Sequence, residues 1–476
     1  MGAWAFSSPV GSSPDDEFHL ASIWCSLGEK PGLCESVPDE PAEREIATEL
    51  NRAPECFKFE STQSAACQDE LLAEFPPTMQ TDRGNFAGSY PPVYYAVMGI
   101  FAGENIAVST LVIRIASAVL FAGISTALFL LLPQRRRPTL LLAWAIGLTP
   151  LAMSLIPSTN PSSWAIISAG TLWLALLGFF ETSGLRRIGL GAIAVVAAVM
   201  GAGARADAAV YSGIAIVLVT ILVARRDRKS LLSLLLPLAL AIIVFALFLS
   251  ARQSGVGSEG FGDHTLPDGM STLTLFGQNL LDVPTLWAGA FGYWGIGWLD
   301  TVMPALVWVA AGLSFGAVVF TGLRSSNTRK TIALALALAA LWLVPTWILV
   351  QSKVLVGAEV QPRYILPLII LLGGIAVLQV GPRRFELTTL QLSVLGVALS
   401  LVNAVALHVN LRRYISGLDV TDPNLNHYVE WWWPGAVSPM VVWVIGAVAF
   451  AAAMFIALRE VSRHQNAMTP GGVING

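Results

Sequence analysis

The chain has 476 residues, of which 55 % are hydrophobic and only 12 % charged, and its mean hydropathy is +0.65. Soluble proteins carry about 25 % charged residues, so a soluble enzyme, a fibrous protein and a disordered protein are excluded. The net charge of −3 divides unevenly: residues 11–90 hold 16 acidic and 5 basic side chains, and the remainder is apolar and net basic. One water-facing segment is therefore joined to a membrane body, and the short basic clusters give no pattern for nucleic acid.

In chain order, Met1–Val10 is too short to span a bilayer and reads as the outer remnant of an apolar first helix, so the start is expected to be truncated and the full protein to have twelve spans. Residues 11–106 read as an extracytoplasmic loop with disulfides and an interfacial helix. Within it, Glu43–Leu50 reads as a short exposed helix. Eleven spans are expected at about 107–132, 138–156, 163–181, 188–204, 208–224, 231–250, 303–323, 331–350, 364–380, 388–408 and 438–458. They fall into membrane blocks 107–250 and 303–458, separated by a lid-like outer loop 251–302 and followed by a cytoplasmic tail 459–476. Every second loop is basic: Arg135-Arg136-Arg137, Arg186-Arg187, Arg225-Arg226 with Arg228-Lys229, Arg324 with Arg329-Lys330, Arg383-Arg384, and Arg459 with Arg463. Basic residues collect in cytoplasmic loops, so the C-terminus is expected inside and residues 11–90 outside, in a bacterial inner membrane.

All four cysteines, Cys25, Cys34, Cys56 and Cys67, lie in the first outer segment. Outside the cytoplasm disulfides persist, and the local pairs Cys25–Cys34 and Cys56–Cys67 are preferred among three connectivities. Zinc is the competing reading, but the spacings match no common zinc pattern.

Chemistry is sought where polar residues gather at the outer mouth of the spans. Asp15, Asp16 and His19 lie in Pro14-Asp15-Asp16-Glu17-Phe18-His19, where carboxylates can serve as general base or hold a divalent cation; the competing reading is a solvated acidic run. Tyr94 and Tyr95 follow Tyr90-Pro91-Pro92 and suit either a ligand contact or an interfacial belt. Arg363, in Gln361-Pro362-Arg363-Tyr364, can pair with a phosphate at the membrane surface or anchor a lipid headgroup. Arg205 and Asp207, which can form a simple ion pair, sit at the same level as the Asn160-Pro161 turn. Loop 251–302 ends in an aromatic, glycine-rich stretch from Phe291 to Asp300, and Trp431-Trp432-Trp433 reads as an interface anchor. Arg114 is the main charge inside a span. No P-loop, dinucleotide fingerprint or HExxH is present in the sequence.

These motifs together resemble an uncharacterised family of bacterial multi-pass membrane proteins in the GT-C glycosyltransferase superfamily. Residues 14–19 resemble its Pro-Asp-Glu-x-x-His motif, with Asp16 at the Glu position. Residues 90–95 resemble a His-Pro-Pro-x-Tyr-Tyr motif, with Tyr90 replacing His. Residues 361–367 resemble a Gln-Gly-Arg-Tyr-x-x-Pro motif, with Pro362 replacing Gly. Asn160-Pro161 and residues 291–300 resemble two further motifs. The resemblance covers residues 14 to about 380 and implies an all-α, GT-C-like helical bundle with a large first extracytoplasmic loop. It implies transfer of a sugar from a polyprenyl-phosphate donor to a glycan or lipid acceptor at the outer face. Asp15 would be the base, Asp16 or His19 would orient it, and Arg363 and Arg205 would hold the phosphate. Gln361, Tyr364, Tyr94, Tyr95 and Asn160 would complete the substrate site, with no bound metal in most such enzymes. The alternatives are a lipid-linked glycan flippase or transporter, or a non-enzymatic envelope-assembly partner.

Overall fold

The computed structural model of the protein describes residues 1–223, 232–380 and 386–467. The basic clusters at Arg225–Lys229 and Arg383-Arg384, and residues 468–476 of the expected cytoplasmic tail, lie outside the described residues. The chain is an all-α membrane bundle with a small, disulfide-bearing cap at one end.

Helix α1 (Gly2–Phe6) packs on the membrane helices, and the cap begins with α2 (Asp16–Trp24). It continues with strands β1 (Cys34–Ser36) and β2 (Arg44–Ala47), helices α3 (Glu49–Arg52) and α4 (Cys67–Ala73), and strand β3 (Thr78–Thr81). The strands form an antiparallel sheet in the order β1-β2-β3, with Ile46 opposite both Cys34 and Met79. This corrects the helix expected over Glu43–Leu50. Eight isolated residues make a marginal helix in water, whereas β2 gains a partner on each edge and buries Ile46. Both preferred disulfides are present, Cys25–Cys34 joining the end of α2 to β1 and Cys56–Cys67 joining the segment after α3 to α4. Arg413 fixes the cap to the bundle: its guanidinium pairs with Asp300 at 2.7 Å and donates to the carbonyl oxygens of Phe57 and Gln63.

Helix α5 (Val93–Met98) links the cap to the bundle. The bundle follows with α6 (Ile106–Leu131), α7 (Arg137–Gly147), α8 (Pro150–Leu155), α9 (Ser162–Glu181), α10 (Gly184–Ala204), α11 (Ala206–Val223) and α12 (Leu235–Leu249). The intervening loop folds into α13 (Val256–Glu259), α14 (Thr272–Asp282) and α15 (Pro284–Ala290). The last five helices are α16 (Ala305–Gly322), α17 (Thr328–Gln351), α18 (Pro362–Ala376), α19 (Thr389–Ile415) and α20 (Pro439–Ala467). Among the described residues eight helices are long and apolar enough to cross a membrane, or nine if the pair Leu235–Leu249 and Arg252–Glu259, bent by 97°, counts as one span. At 26 residues, α6 is about 39 Å long, enough for a hydrocarbon core of about 30 Å.

Three expected spans are not full-length helices among the described residues, and the one expected at 231–250 is the 15-residue α12. Residues 138–156 break between α7 and α8. Pro150 cannot continue the hydrogen-bond ladder of α7, and the Thr149 hydroxyl accepts from the Ala152 amide to cap a new helix. The span expected at 364–380 is the 15-residue α18, about 22 Å long, and it is buried along nearly its whole length. Buried fractions order the bundle: 83 % of the apolar stretch of α9 is enclosed but only 17 % of that of α20. Thus α9 is central and α20 lies at the lipid-facing rim. Arg114, inside α6, donates to the carbonyls of Ala5, Ser8 and Pro9 and to the Ser12 hydroxyl, pinning the first residues into the bundle.

Candidate functional site

The turn that begins α2 is built by hydrogen bonds that leave one carboxylate free. Asp16 is fully buried; its Oδ2 accepts from the Ser13 amide at 2.9 Å and its Oδ1 from the Thr159 hydroxyl at 2.6 Å. Asn160 Nδ2 donates to the Pro14 carbonyl at 2.7 Å. These contacts hold Asp15 in the left-handed region, φ 57°, a conformation Asp tolerates better than most side chains. The Asp15 carboxylate then faces the bundle and accepts from Arg363 Nη2 at 2.6 Å. Asp16 and Asn160 therefore shape the turn, and Asp15 is the carboxylate presented by it.

Arg363 stands in the first turn of α18, behind Pro362, which suits the first helical position. Its Nη2 also donates to the Tyr364 hydroxyl at 3.1 Å, while Nε and Nη1 are buried without a partner among the described residues. Arg205 sits at the break between α10 and α11 and makes a two-pronged pair with Asp207, at 2.9 and 2.8 Å. Its remaining nitrogen, Nη1, is likewise buried and unpartnered. Both guanidiniums lie on the Tyr364 ring, Arg205 at 4.6 Å and Arg363 at 5.0 Å from its centroid. Gln361 Oε1 is a further buried atom without a partner. A buried polar group left unpaired is costly, and three such donors, Arg363 Nε and Nη1 and Arg205 Nη1, gather here with one such acceptor, Gln361 Oε1.

His19 completes the wall. It is fully buried, its Nδ1 lies 2.9 Å from the Tyr95 hydroxyl and its Nε2 has no partner. Burial, helped by the positive charges of Arg363, Arg205 and Arg83, pushes its pKa down to about 3, so the ring is neutral at pH 7. Burial raises the Asp15 carboxyl, but the Arg363 charge and then Arg83 outweigh it, and the carboxyl sits below its ordinary value. Burial takes Asp16 the other way, up to about 6, against the opposing effects of Arg114 and the Thr159 and Ser13 hydrogen bonds. Tyr90 packs edge-on against His19 at 5.4 Å, and burial raises its hydroxyl to about 12.

Tyr94 and Tyr95 are buried inside the protein, so neither is a membrane-interface anchor. Tyr95 supports His19, whereas Tyr94 packs against Trp164 at 5.3 Å. Trp433 is also largely buried and donates to the Phe6 carbonyl, so the triple Trp serves partly as packing. The two carboxylates, which could serve as general base or hold a divalent cation, face Arg363 and Thr159. Among the described residues no three His, Cys, Asp or Glu side chains are grouped to hold a metal ion.

Beside the arginines an apolar cavity of about 310 Å³ opens between α11, α12, α17 and α18. Arg205 and Tyr364 stand at its polar end, and Val210, Phe248, Phe261 and Trp347 line the rest. Segment 256–261 straps across it: the Phe261 amide donates to the Ser352 hydroxyl at 2.8 Å and the Phe261 ring stacks on Tyr364. Gly260 allows the turn, with φ 79° and the Ser352 amide where a Cβ would stand.

Sequence reasoning missed Thr159, which grips Asp16 from the residue before Asn160, and Arg83, which pairs with Glu17 at 2.9 Å at the edge of the site. A hydroxyl beside an Asn-Pro turn was the available signal for the first. For Arg83, far along the cap from Glu17, no sequence signal existed.

Residues 1–372 match the family described as "Predicted membrane protein (DUF2142)". The chain belongs to this family. The match includes every side chain of the arginine–carboxylate cluster, from Asp15 to Tyr364, and ends inside α18. No curated protein and no solved structure matches the chain. Membership of DUF2142 thus agrees with the membrane character of the bundle and assigns no activity to the cluster.

Proposed function

We propose that the protein is a membrane glycosyltransferase of GT-C type, moving a sugar from a polyprenyl-phosphate donor to an envelope glycan or lipid acceptor at the outer face. One observation carries the reading: two buried guanidiniums with unpartnered N–H groups lie on the Tyr364 ring, Arg363 against the Asp15 carboxylate and Arg205 at the polar end of an apolar cavity. Such a site matches a ligand with an anionic head and a hydrocarbon tail.

In this reading Arg363 Nε and Nη1 and Arg205 Nη1 donate to the donor's phosphate oxygens, and the first prenyl units enter the cavity. The phosphate competes with Asp15 for Arg363. Sharing that cation weakens its hold on Asp15 and makes the carboxylate a better proton acceptor. Asp15 takes the proton of the acceptor hydroxyl as its oxygen bonds to the sugar's anomeric carbon. The bond from that carbon to the phosphate oxygen breaks, its electron pair stays on the phosphate, and the arginines stabilise the added negative charge. Neutral His19 orients its partners through Nε2 without adding charge. Asp207 holds Arg205 in place.

The test is to supply labelled polyprenyl-phosphate sugar to membranes containing the protein and follow both label and lipid. Label leaving the lipid for an acceptor supports transfer. Lipid crossing the bilayer with its sugar still attached would replace this reading with the flippase.

A further inference from the structure

The loop between α12 and α16 carries a helix whose broad apolar side is turned away from the protein. In α14, Leu275 and Asn279 are buried on the side packed against α17. Asn279 Nδ2 donates to the Val354 carbonyl and its Oδ1 accepts from the Val356 amide, both at 2.9 Å. At helical spacing the opposite face presents Leu273, Phe276, Leu280 and Leu281. Leu273 is 79 % and Leu281 78 % exposed. Exposed Thr274 and Gln278 form a narrow polar edge between the two faces, and the helix holds no Lys or Arg.

Helix α17 fixes the level of this face. Trp342 Nε1 donates to the Leu280 carbonyl at 2.6 Å, and Trp342 lies about 13 Å inside the end of its span at Gln351. Residues 331–350 of that span hold no charged side chain. Trp287 of α15 packs edge-on against Trp342 at 4.8 Å, an indole pair of the kind that gathers at membrane interfaces. The last-turn carbonyls of α14 find side-chain donors, Leu280 from Trp342 and Asp282 from the Thr285 hydroxyl at 2.8 Å. A helix end withdrawn from water needs such partners. Exposed Leu343 and Trp347 of α17 continue the outward apolar surface.

We infer that α14 lies in the boundary between headgroups and hydrocarbon of the leaflet on the cap side. Leu273, Phe276, Leu280 and Leu281 stand among acyl chains, and Thr274 and Gln278 face water. The partner is the hydrocarbon itself, since the helix carries no cation to select an anionic head. The loop that straps the apolar cavity at 256–261 is then tethered to lipid at α14. This placement does not depend on the transferase reading, since α14 shares no residue with the arginine cluster.

The experiment is spin-label accessibility of the full chain in phosphatidylcholine vesicles. All four native cysteines are in disulfides, so an introduced cysteine is the one thiol free for labelling. Leu273→Cys, Leu281→Cys and Gln278→Cys each alter an exposed side chain and leave the fold in place. Each label is probed with oxygen, which partitions into hydrocarbon, and with a water-soluble nickel chelate. The ratio of oxygen to nickel collisions is expected to be about fivefold higher at Leu273 and Leu281 than at Gln278. It should stay the same when phosphatidylglycerol replaces part of the phosphatidylcholine. A ratio at Leu273 or Leu281 as low as that at Gln278 would put the face in water. Labels there shielded from both reagents would put a second copy of the chain over it, and a high ratio seen only with phosphatidylglycerol would make headgroup charge the determinant. Each of these three results would overturn the inference.

Discussion

Asp15 and Asp16 are adjacent in sequence and opposite in circumstance. Asp16 is enclosed and bonded within the turn, and its carboxyl rises to about 6; Asp15 faces Arg363 and is held low. The pair shows why three acids in a row mark candidates in the sequence without revealing their surroundings: these depend on Thr159 and Arg363, which are distant in the chain. A pH prediction follows. His19 has its pKa depressed to about 3 on folding, so its contribution to stability is present above about 6.5 and is lost as pH falls toward 3. Asp16 has its pKa raised, so the folded state keeps a proton that the unfolded state loses, and stability falls as pH rises from about 4 to 6. Between those values the two slopes oppose each other. Asp16→Asn removes one, and its melting temperature should then rise with pH from 4 to 6.5, by a slope equivalent to about 1.4 kcal/mol per unit, while the wild type stays flatter. Equal slopes in the two proteins would contradict the assignment. At the proposed phosphate subsite, Arg363→Lys keeps the charge but not the planar fork. Transfer should fall about a hundredfold, read as initial rate against donor concentration.

Helix α18 is the element that connects the site to the opposite end of the bundle. Its first turn carries Arg363, and beyond its last turn the chain is gripped by charged side chains. Lys330 Nζ is buried among carbonyls, donating to Gly322, Ser325, Ala376 and Leu378 at 2.6–2.9 Å. Arg136 donates to the Gln379 carbonyl and pairs with Glu181. A cation at a helix C-terminus also offsets the helix dipole. Lys330→Met should therefore lower thermal stability by at least about 2 kcal/mol, since buried carbonyls lose their donor. Because Lys330 and Arg363 hold the two ends of one helix, donor binding should weaken in the same variant. A variant that unfolds and binds as wild type does would show that α18 needs no such clamp. Much of this level was legible: long apolar stretches gave the spans of α6, α9, α10, α11, α16, α17, α19 and α20. The break at Thr149-Pro150 and the short α18 were not read, because hydropathy averages over a window and does not register a cap or a clamp. The sheet was missed for a related reason, since β2 is stable only through partners on either side of it in space.

For the whole molecule, the sparse charge has a simple arrangement. Acidic side chains concentrate in the disulfide-bearing cap, and among the described residues basic ones such as Arg135, Arg136, Arg187 and Arg329 stand at or beside helix ends away from it. Between them a few arginines are buried: Arg114 and Arg413 bind the first residues and the cap to the bundle, both terminal nitrogens of each engaged, whereas Arg205 and Arg363 each keep a terminal nitrogen, Nη1, unpartnered. The proposed phosphate site rests on that contrast, which depends on contacts between residues distant in the chain and so is not legible in the sequence. The proposed transfer reaction depends on the second pair together with Asp15, at the junction of cap and membrane body. The most direct measurement is transfer of labelled sugar from polyprenyl phosphate in membranes carrying Asp15→Asn, with Asp15→Ala beside it. Loss of about a hundredfold or more, with donor still bound, is the expected result; transfer at the wild-type rate would contradict the account.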